Sequence, residues 1–294
     1  MASPNVFIIG APKCGTTTVA DWIGAHPDAF MSPVKEPHYF NTDESHRFVR
    51  SEDEYRQLFD SAPDSAKVVA EASTWYLHSD NAVPNILEYA VFPKFVVCLR
   101  NPVDMAFSLH GQFSLRSLRE NELSFSKAWA LSDHRLFGDK VAGNVTEPKH
   151  LAYRYSCKLG TQLLRLTRRV PRSQVHLVVL DDLKASPQAE YDRLLSFLGL
   201  PHDGRSHFSA LNERAPVYST HTHRALNRAR RIKRAMGVEG IGFGIANWLA
   251  SRNKNSQIPR MSSNERLMLT SHFEAEIELM FLILGRRYDA WLSS

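Results

Sequence analysis

Three groups of residues in this chain have types and spacings that could do chemistry. The first is Gly10-Ala11-Pro12-Lys13-Cys14-Gly15-Thr16-Thr17-Thr18, which follows an apolar run and leads into a helical pattern. A glycine-bracketed turn between strand and helix exposes backbone N–H groups at the positive end of the helix dipole, which favours an anion. Lys13 adds charge and the three threonines add hydroxyls. The second is Arg100, at the end of another apolar run, with Ser108 a short way into the helix that follows. A guanidinium grips phosphate with two parallel bonds, and a serine hydroxyl adds one more. Two separate anion sites suit one ligand with two phosphate groups. The third is Lys35-Glu36-Pro37-His38. Taken alone, Lys35 and Glu36 read as an exposed ion pair before a proline turn, and His38 as a hydrogen-bonding scaffold residue.

Each group has a plainer reading. Gly10 and Gly15 could simply make a tight turn, with the threonines capping a helix. Arg100 could be a surface arginine beside a helix start. The glycine spacing matches the start of a nucleotide-phosphate loop, yet Thr16 stands where the ATP and GTP loops carry Lys. The run 95–99 ends in Arg100, where a magnesium-binding Asp would be needed. A magnesium-dependent kinase is therefore the second reading, and a non-catalytic nucleotide-binding module the third.

The elements that must position these residues follow from the apolar pattern. Runs at 6–9, 67–70, 95–99 and 175–180 lack alternation, as buried parallel strands do. Helical patterns cover 16–25, 81–89, 102–115, 151–169, 187–198 and 263–284. The last begins at Ser263-Asn264-Glu265, stops at Gly285, and spaces Leu267, Phe273, Ile277, Met280 and Leu284 helically. Alternating strands and helices predict an α/β fold: a doubly wound, P-loop-like parallel sheet with flanking helices and a helical C-terminal region. In such sheets ligands bind beyond the carboxyl ends of the strands, where both Gly15 and Arg100 fall.

The chain has 294 residues, 43% hydrophobic and 23% charged. That composition excludes disorder, coiled coil and disulfide-stapled scaffolds for the chain as a whole. The length suits one domain, 1–294, with a variable helical lid segment at about 215–260. A net charge of +5 suits an anionic ligand and is too diffuse to argue for nucleic acid. Cys14, Cys98 and Cys157 show no metal or disulfide spacing, so reduced thiols and a cytoplasmic protein are expected. The start of the chain does not read as a leader, and no run approaches the roughly 18 apolar residues of a membrane span. No metal site is expected; His221 and His223 have no third ligand at suitable spacing. Residues 224–234 hold Arg224, Arg228, Arg230, Arg231, Lys233 and Arg234 with an apolar stripe. They read either as a solvated helix face or as a contact for an acidic acceptor, a phosphate or a membrane surface. Residues 237–244 read as a glycine-rich hinge and 251–259 as a mobile polar connection. No motif bears on oligomeric state.

These motifs together resemble the PAPS-dependent sulfotransferases, in the bacterial-type branch related to the heparan sulfate enzymes. The stretch Pro12 to Thr18 is similar to their 5′-phosphosulfate loop, and Arg100 with Ser108 to their 3′-phosphate motif. Lys35-Glu36-Pro37-His38-Tyr39-Phe40 resembles the Lys-Glu-x-His-Phe-Phe stretch of that branch. Glu71-Ala72-Ser73-Thr74-Trp75-Tyr76-Leu77, 179–183 with 197–200, and 284–291 continue the likeness in order. The resemblance implies PAPS as donor, adenosine 3′,5′-bisphosphate as product and no metal. It implies a small-molecule or glycan acceptor sulfated at a hydroxyl or an amine by in-line displacement. It assigns the donor to Lys13, Cys14, Gly15, Thr16, Thr17, Thr18, Arg100 and Ser108. It makes Glu36 the general base, Lys13 the stabiliser of the leaving oxygen, and His38 an orienting residue or the alternative base. Two features of the branch are missing. Ala72 and Ser73 stand where many relatives carry a lysine, and the basic glycine loop over the 3′-phosphate is not recognisable. Lys254 or an arginine of 224–234 is the candidate replacement for that loop.

Overall fold

A parallel strand buried on both faces needs no polar alternation, and the sheet is built from such strands. In the computed structural model, which describes residues 2–115, 117, 119–143, 145–208 and 260–293, five strands lie parallel: β1 Val6–Gly10, β2 Ala29–Met31, β3 Val68–Ala72, β4 Lys94–Leu99 and β5 Val175–Val179. Their order is β2-β3-β1-β4-β5. Val6 pairs with Ala70 on one side and Lys94 on the other, and Phe95 pairs with Val175. Every residue of β1 and β3 is buried. The fold is the expected P-loop-like α/β sheet with flanking helices.

The helices are α1 Thr16–Gly24, α2 Glu52–Gln57, α3 Ala82–Tyr89, α4 Pro102–Leu115, α5 Phe125–Ala130, α6 Ser132–Leu136, α7 Tyr153–Ser156, α8 Leu159–Thr167, α9 Leu180–Ala185 and α10 Pro187–Leu198, with a C-terminal helix Ser263–Leu284. α1 packs on β2 and β3, and the C-terminal helix packs on α8 and α4.

Four strands were expected, and all four form with small shifts at their ends. Leu180 is the first residue of α9 rather than the last of β5. The strand missed is β2, three half-buried residues at the sheet edge, too short to carry a pattern.

The continuous helix expected over 151–169 is corrected. A 3-10 turn over Pro148–Leu151, then α7 and α8, occupy that stretch, with Lys158 at φ −75°, ψ 67° between the helices. The cause is tertiary. The Glu276 carboxylate accepts from the Thr161 amide and hydroxyl, both at 2.7 Å, and so caps α8 from another helix. The two backbones touch there: a Cβ on Gly160 would lie 2.4 Å from the Glu276 carbonyl oxygen.

The C-terminal helix begins one residue after its cap, Ser262, which forms a reciprocal capping box with Glu265. Phe273, Ile277 and Met280 are buried as expected, whereas Leu267 is 59% exposed and Leu269 takes its place in the core. Cys14, Cys98 and Cys157 are free and buried. Among the described residues no helix is long and apolar enough to cross a membrane. The 224–234 stretch, the 237–244 hinge, the 251–259 connection, Lys254, His221 and His223, and all but the last residue of the 215–260 segment lie outside the described residues.

Candidate active site

The loop after β1 is held against β4 by the Ala11 amide, which donates to the Cys98 carbonyl at 2.8 Å. Cys14 turns its thiol into the core, where it donates to the Pro12 carbonyl at 3.4 Å. Burial pushes that thiol up to about 12, so it stays protonated and only the Cys14 backbone remains for a ligand. Lys13 (φ 67°) and Gly15 (φ 96°) both take left-handed backbone. Gly15 then caps α1, and a Cβ there would sit 3.1 Å from Leu180 Cδ1. No side chain caps this helix start, and its first turn holds no acid. Its N–H groups are therefore set up for an anion. Thr16 and Thr18 are buried, and Thr17 is half-buried.

Strand order brings Arg100 to the same place. β1 and β4 are neighbours on which the chain departs in opposite directions, the switch point where open α/β sheets bind ligands. The Arg100 guanidinium donates to the Lys13 carbonyl at 3.1 Å and lies 3.9 Å from Asp104. Asp104 is also paired with Arg266 of the C-terminal helix at 2.8 Å. Ser108 lies in the second turn of α4, half-buried.

The segment after β2 crosses the carboxyl end of β3. The Ser32 amide donates to Ala70 and the Glu36 amide to Ala72, both at 2.8 Å. The Lys35 ammonium donates to the Thr17 hydroxyl at 2.6 Å, tying this segment to the loop. Glu36 (φ 68°) and His38 (φ 50°) are left-handed, and His38 Nε2 lies 3.2 Å from Glu36 Oε2. Burial alone would raise the Glu36 carboxyl. The hydrogen bond and charge of His38, the charge of Lys35 and the Thr74 hydroxyl outweigh it and hold the group below its ordinary value. Arg119 adds a cation facing Glu36. Glu36 keeps 35% of its side chain exposed against 1% for His38, so the carboxylate is the member of the pair that a ligand can reach.

Behind His38 lies a set of residues that no spacing announces. His46 stands 5.0 Å from His38, ring centre to ring centre, and burial first, then His38 and Arg119, push it down to about 4. Beyond it Glu44, fully buried, accepts from His78 at 2.6 Å, His150 at 3.1 Å and Asn41 at 2.9 Å. His150 stacks on Trp75 at 3.5 Å. Carboxylate and imidazoles here have the composition of a metal cluster. The 2.6 Å contact is nevertheless a hydrogen-bond length, shorter than the roughly 3.3 Å that two ligands at about 2.0 Å keep across a tetrahedral zinc. Glu44 holds the three side chains together by these hydrogen bonds, while His150 Nδ1 and Asn41 Oδ1 are buried without a partner among the described residues.

The fold thus brings Lys13, Cys14, Gly15, Thr16, Thr17, Thr18, Arg100, Lys35, Glu36 and His38 to one rim of the sheet. Sequence reasoning passed over Thr74, Arg119 and His46. Thr74 lay in a quoted motif; the other two carried no signal.

Residues 3–233 match the family described as sulfotransferase domain. The human bifunctional heparan sulfate N-deacetylase/N-sulfotransferase 2 is 24% identical over 98% of this chain and 31% of its own length. Human carbohydrate sulfotransferase 15 is 30% identical over 38% of this chain and 27% of its own. The chain therefore spans about a third or less of these curated relatives. A sulfotransferase from Alicyclobacillus acidocaldarius shares the fold, with a TM-score of 0.76, 24% identity and complete coverage of both chains. With the family matched across most of its length, on a sheet of that fold, the chain belongs to the sulfotransferase domain family.

Proposed function

We propose that the chain transfers a sulfuryl group from PAPS to a hydroxyl or amine of a carbohydrate-like or natural-product acceptor, with Glu36 as general base. The observation that carries this reading is a single rim on which a carboxylate held ionised, Glu36, is tied through Lys35 to an anion-receiving loop. The residues of that loop fit a phosphate-bearing donor: an uncapped helix start at Gly15, Lys13, the Thr17 hydroxyl, and Arg100 at the next strand. When bound, PAPS supplies the sulfuryl group and leaves as the bisphosphate.

The protein's work is positional and electrostatic, as in phosphoryl transfer. The N–H groups of Gly15 to Thr17 hold the 5′-phosphate, with the Cys14 backbone and the Thr16 and Thr18 hydroxyls lining the same turn. Arg100 and Ser108 hold the 3′-phosphate. Lys13 takes up charge at the leaving oxygen. Glu36 removes the acceptor proton, and its depressed pKa keeps it ready as a base at neutral pH. His38 orients Glu36 from behind. The reading treats 1–294 as one domain. The names of the relatives, heparan sulfate and carbohydrate sulfotransferases, support a glycan acceptor.

The test is calorimetric titration with adenosine 3′,5′-bisphosphate without magnesium, beside ATP with magnesium. Bisphosphate binding that Arg100→Ala weakens about 10- to 100-fold supports the proposal. Binding of ATP alone overturns it in favour of a kinase.

A further inference from the structure

Two non-glycine positions of the base segment, Glu36 and His38 on either side of Pro37, hold left-handed backbone. Each such residue is strained and persists only where its surroundings over-determine it. The determinants are four amides. Glu36 donates to the Ala72 carbonyl at 2.8 Å. His38 donates to the Ser73 hydroxyl oxygen at 3.0 Å. Tyr39 and Phe40 both donate to the Tyr76 hydroxyl oxygen, at 2.9 and 3.2 Å.

A hydroxyl has one proton and two acceptor lone pairs. Ser73 and Tyr76 can receive these amides only if their own protons point elsewhere, and they point at one group. Ser73 donates to Glu71 Oε2 at 2.9 Å, and Tyr76 also hydrogen-bonds that carboxyl. Tyr55, from α2, donates to Oε1 at 3.1 Å. Glu71 is completely buried on β3. An ionised carboxylate only accepts, so it draws all three hydroxyls to it as donors, while Ser73 and Tyr76 also hydrogen-bond each other. The geometry points to Glu71 as a positioning residue for the reaction: through Ser73 and Tyr76 it holds the 36–40 segment in the strained backbone that aims Glu36. This inference rests on the proposed role of Glu36.

The groups acting on the Glu71 carboxyl are Ser73, Tyr76 and Tyr55, none of them a cation. Burial, opposed by those three hydrogen bonds, pushes the carboxyl up to about 7. Burial first, and then Glu71, raises both tyrosines well above their ordinary value, so they stay protonated donors. The ionised form that orders the segment is therefore gained as pH rises through about 7. Stability runs the other way. The folded carboxyl holds its proton where the unfolded one, at about 4.5, has lost it, so this group's contribution falls between 4.5 and 7.

The experiment compares Glu71→Gln with wild type and with Glu36→Gln. In Glu71→Gln we expect kcat to fall about 10- to 100-fold, as small misplacements of a reacting group do. Bisphosphate affinity should stay within about twofold, and the melting temperature at pH 8 should be no lower than wild type. Wild-type kcat should rise through neutral pH while the variant stays flat. The backbone amide resonances of His38, Tyr39 and Phe40 should titrate together near neutrality in wild type and not in the variant. Ser73→Ala, which removes one relay and keeps the carboxylate, should lose turnover in the same sense. Wild-type amides of His38, Tyr39 and Phe40 that are silent near pH 7, or a Glu71→Gln enzyme with kcat within about twofold of wild type beside an inactive Glu36→Gln, overturn the positioning role alone. An active Glu36→Gln overturns the base assignment, and the amide titration still decides whether Glu71 anchors the segment.

Discussion

The Lys35 ammonium donates to the Thr17 hydroxyl at 2.6 Å, joining two segments that meet only through the fold. One carries the proposed base and the other opens the helix whose N–H groups form the proposed donor site. The pair is exposed, so its effect on stability is small. Lys35→Ala should leave the denaturation midpoint within measurement error and lower both bisphosphate affinity and turnover several-fold. Calorimetry and steady-state kinetics on one preparation check this.

Glu36→Gln keeps the shape of the side chain and removes the base. Turnover should fall about 10²- to 10⁴-fold with bisphosphate affinity retained. The folded Glu36 carboxyl lies below its ordinary value of 4.5, with burial outweighed by His38, Lys35 and Thr74. Its stabilising contribution is thus complete above 4.5 and is lost as pH falls through the lower, folded value. Urea denaturation of wild type and variant should converge on acidification over that window.

Arg100→Ala should weaken bisphosphate binding by about 10- to 100-fold, the worth of a charge-assisted contact of about 1.5–3 kcal/mol. Arg100→Lys should restore only part of it, because an ammonium lacks the planar fork. A lysine that restored full affinity would show that charge alone matters.

Gly15→Ala meets two obstacles. The backbone stands at φ 96°, and the new Cβ would press on Leu180 Cδ1 at 3.1 Å. We expect a loss of about 1–3 kcal/mol in stability, measured by urea denaturation, and a larger proportional loss of bisphosphate binding.

The Glu44 cluster should make the fold acid-sensitive. Burial pushes His150 down to about 3, and the two histidines hold Glu44 below its ordinary value against the effect of burial. The folded imidazole stays neutral where the unfolded one, at 6.5, takes a proton, so stability falls as pH drops from 6.5 towards 3. His150→Phe keeps a ring for Trp75 and removes the titration. Its stability should be lower than wild type at pH 7 and fall less between pH 7 and 5, by urea denaturation at both.

The strand-and-helix grammar and the glycine-bracketed turn after β1 are legible in the residues alone. Unbroken apolar runs such as 95–99 and the Gly15–Thr18 turn are local signals, set by backbone propensity and burial of nearby side chains. The C-terminal helix was equally legible, because Ser263-Asn264-Glu265 and Gly285 mark its ends, with the cap itself one residue earlier at Ser262. The remaining features depend on contacts between distant segments. The break before α8 depends on Glu276, 115 positions away from Thr161. The edge strand β2 exists only because β3 pairs with it. Lys35 meets Thr17, Arg100 meets the Lys13 carbonyl, and the Ser73 hydroxyl, in the turn after β3, joins Glu71 to the His38 amide. A single residue in a chain carries its charge and its donors openly. Whether those groups face a ligand, a core or one another is fixed by which strands lie side by side, and no local pattern records that.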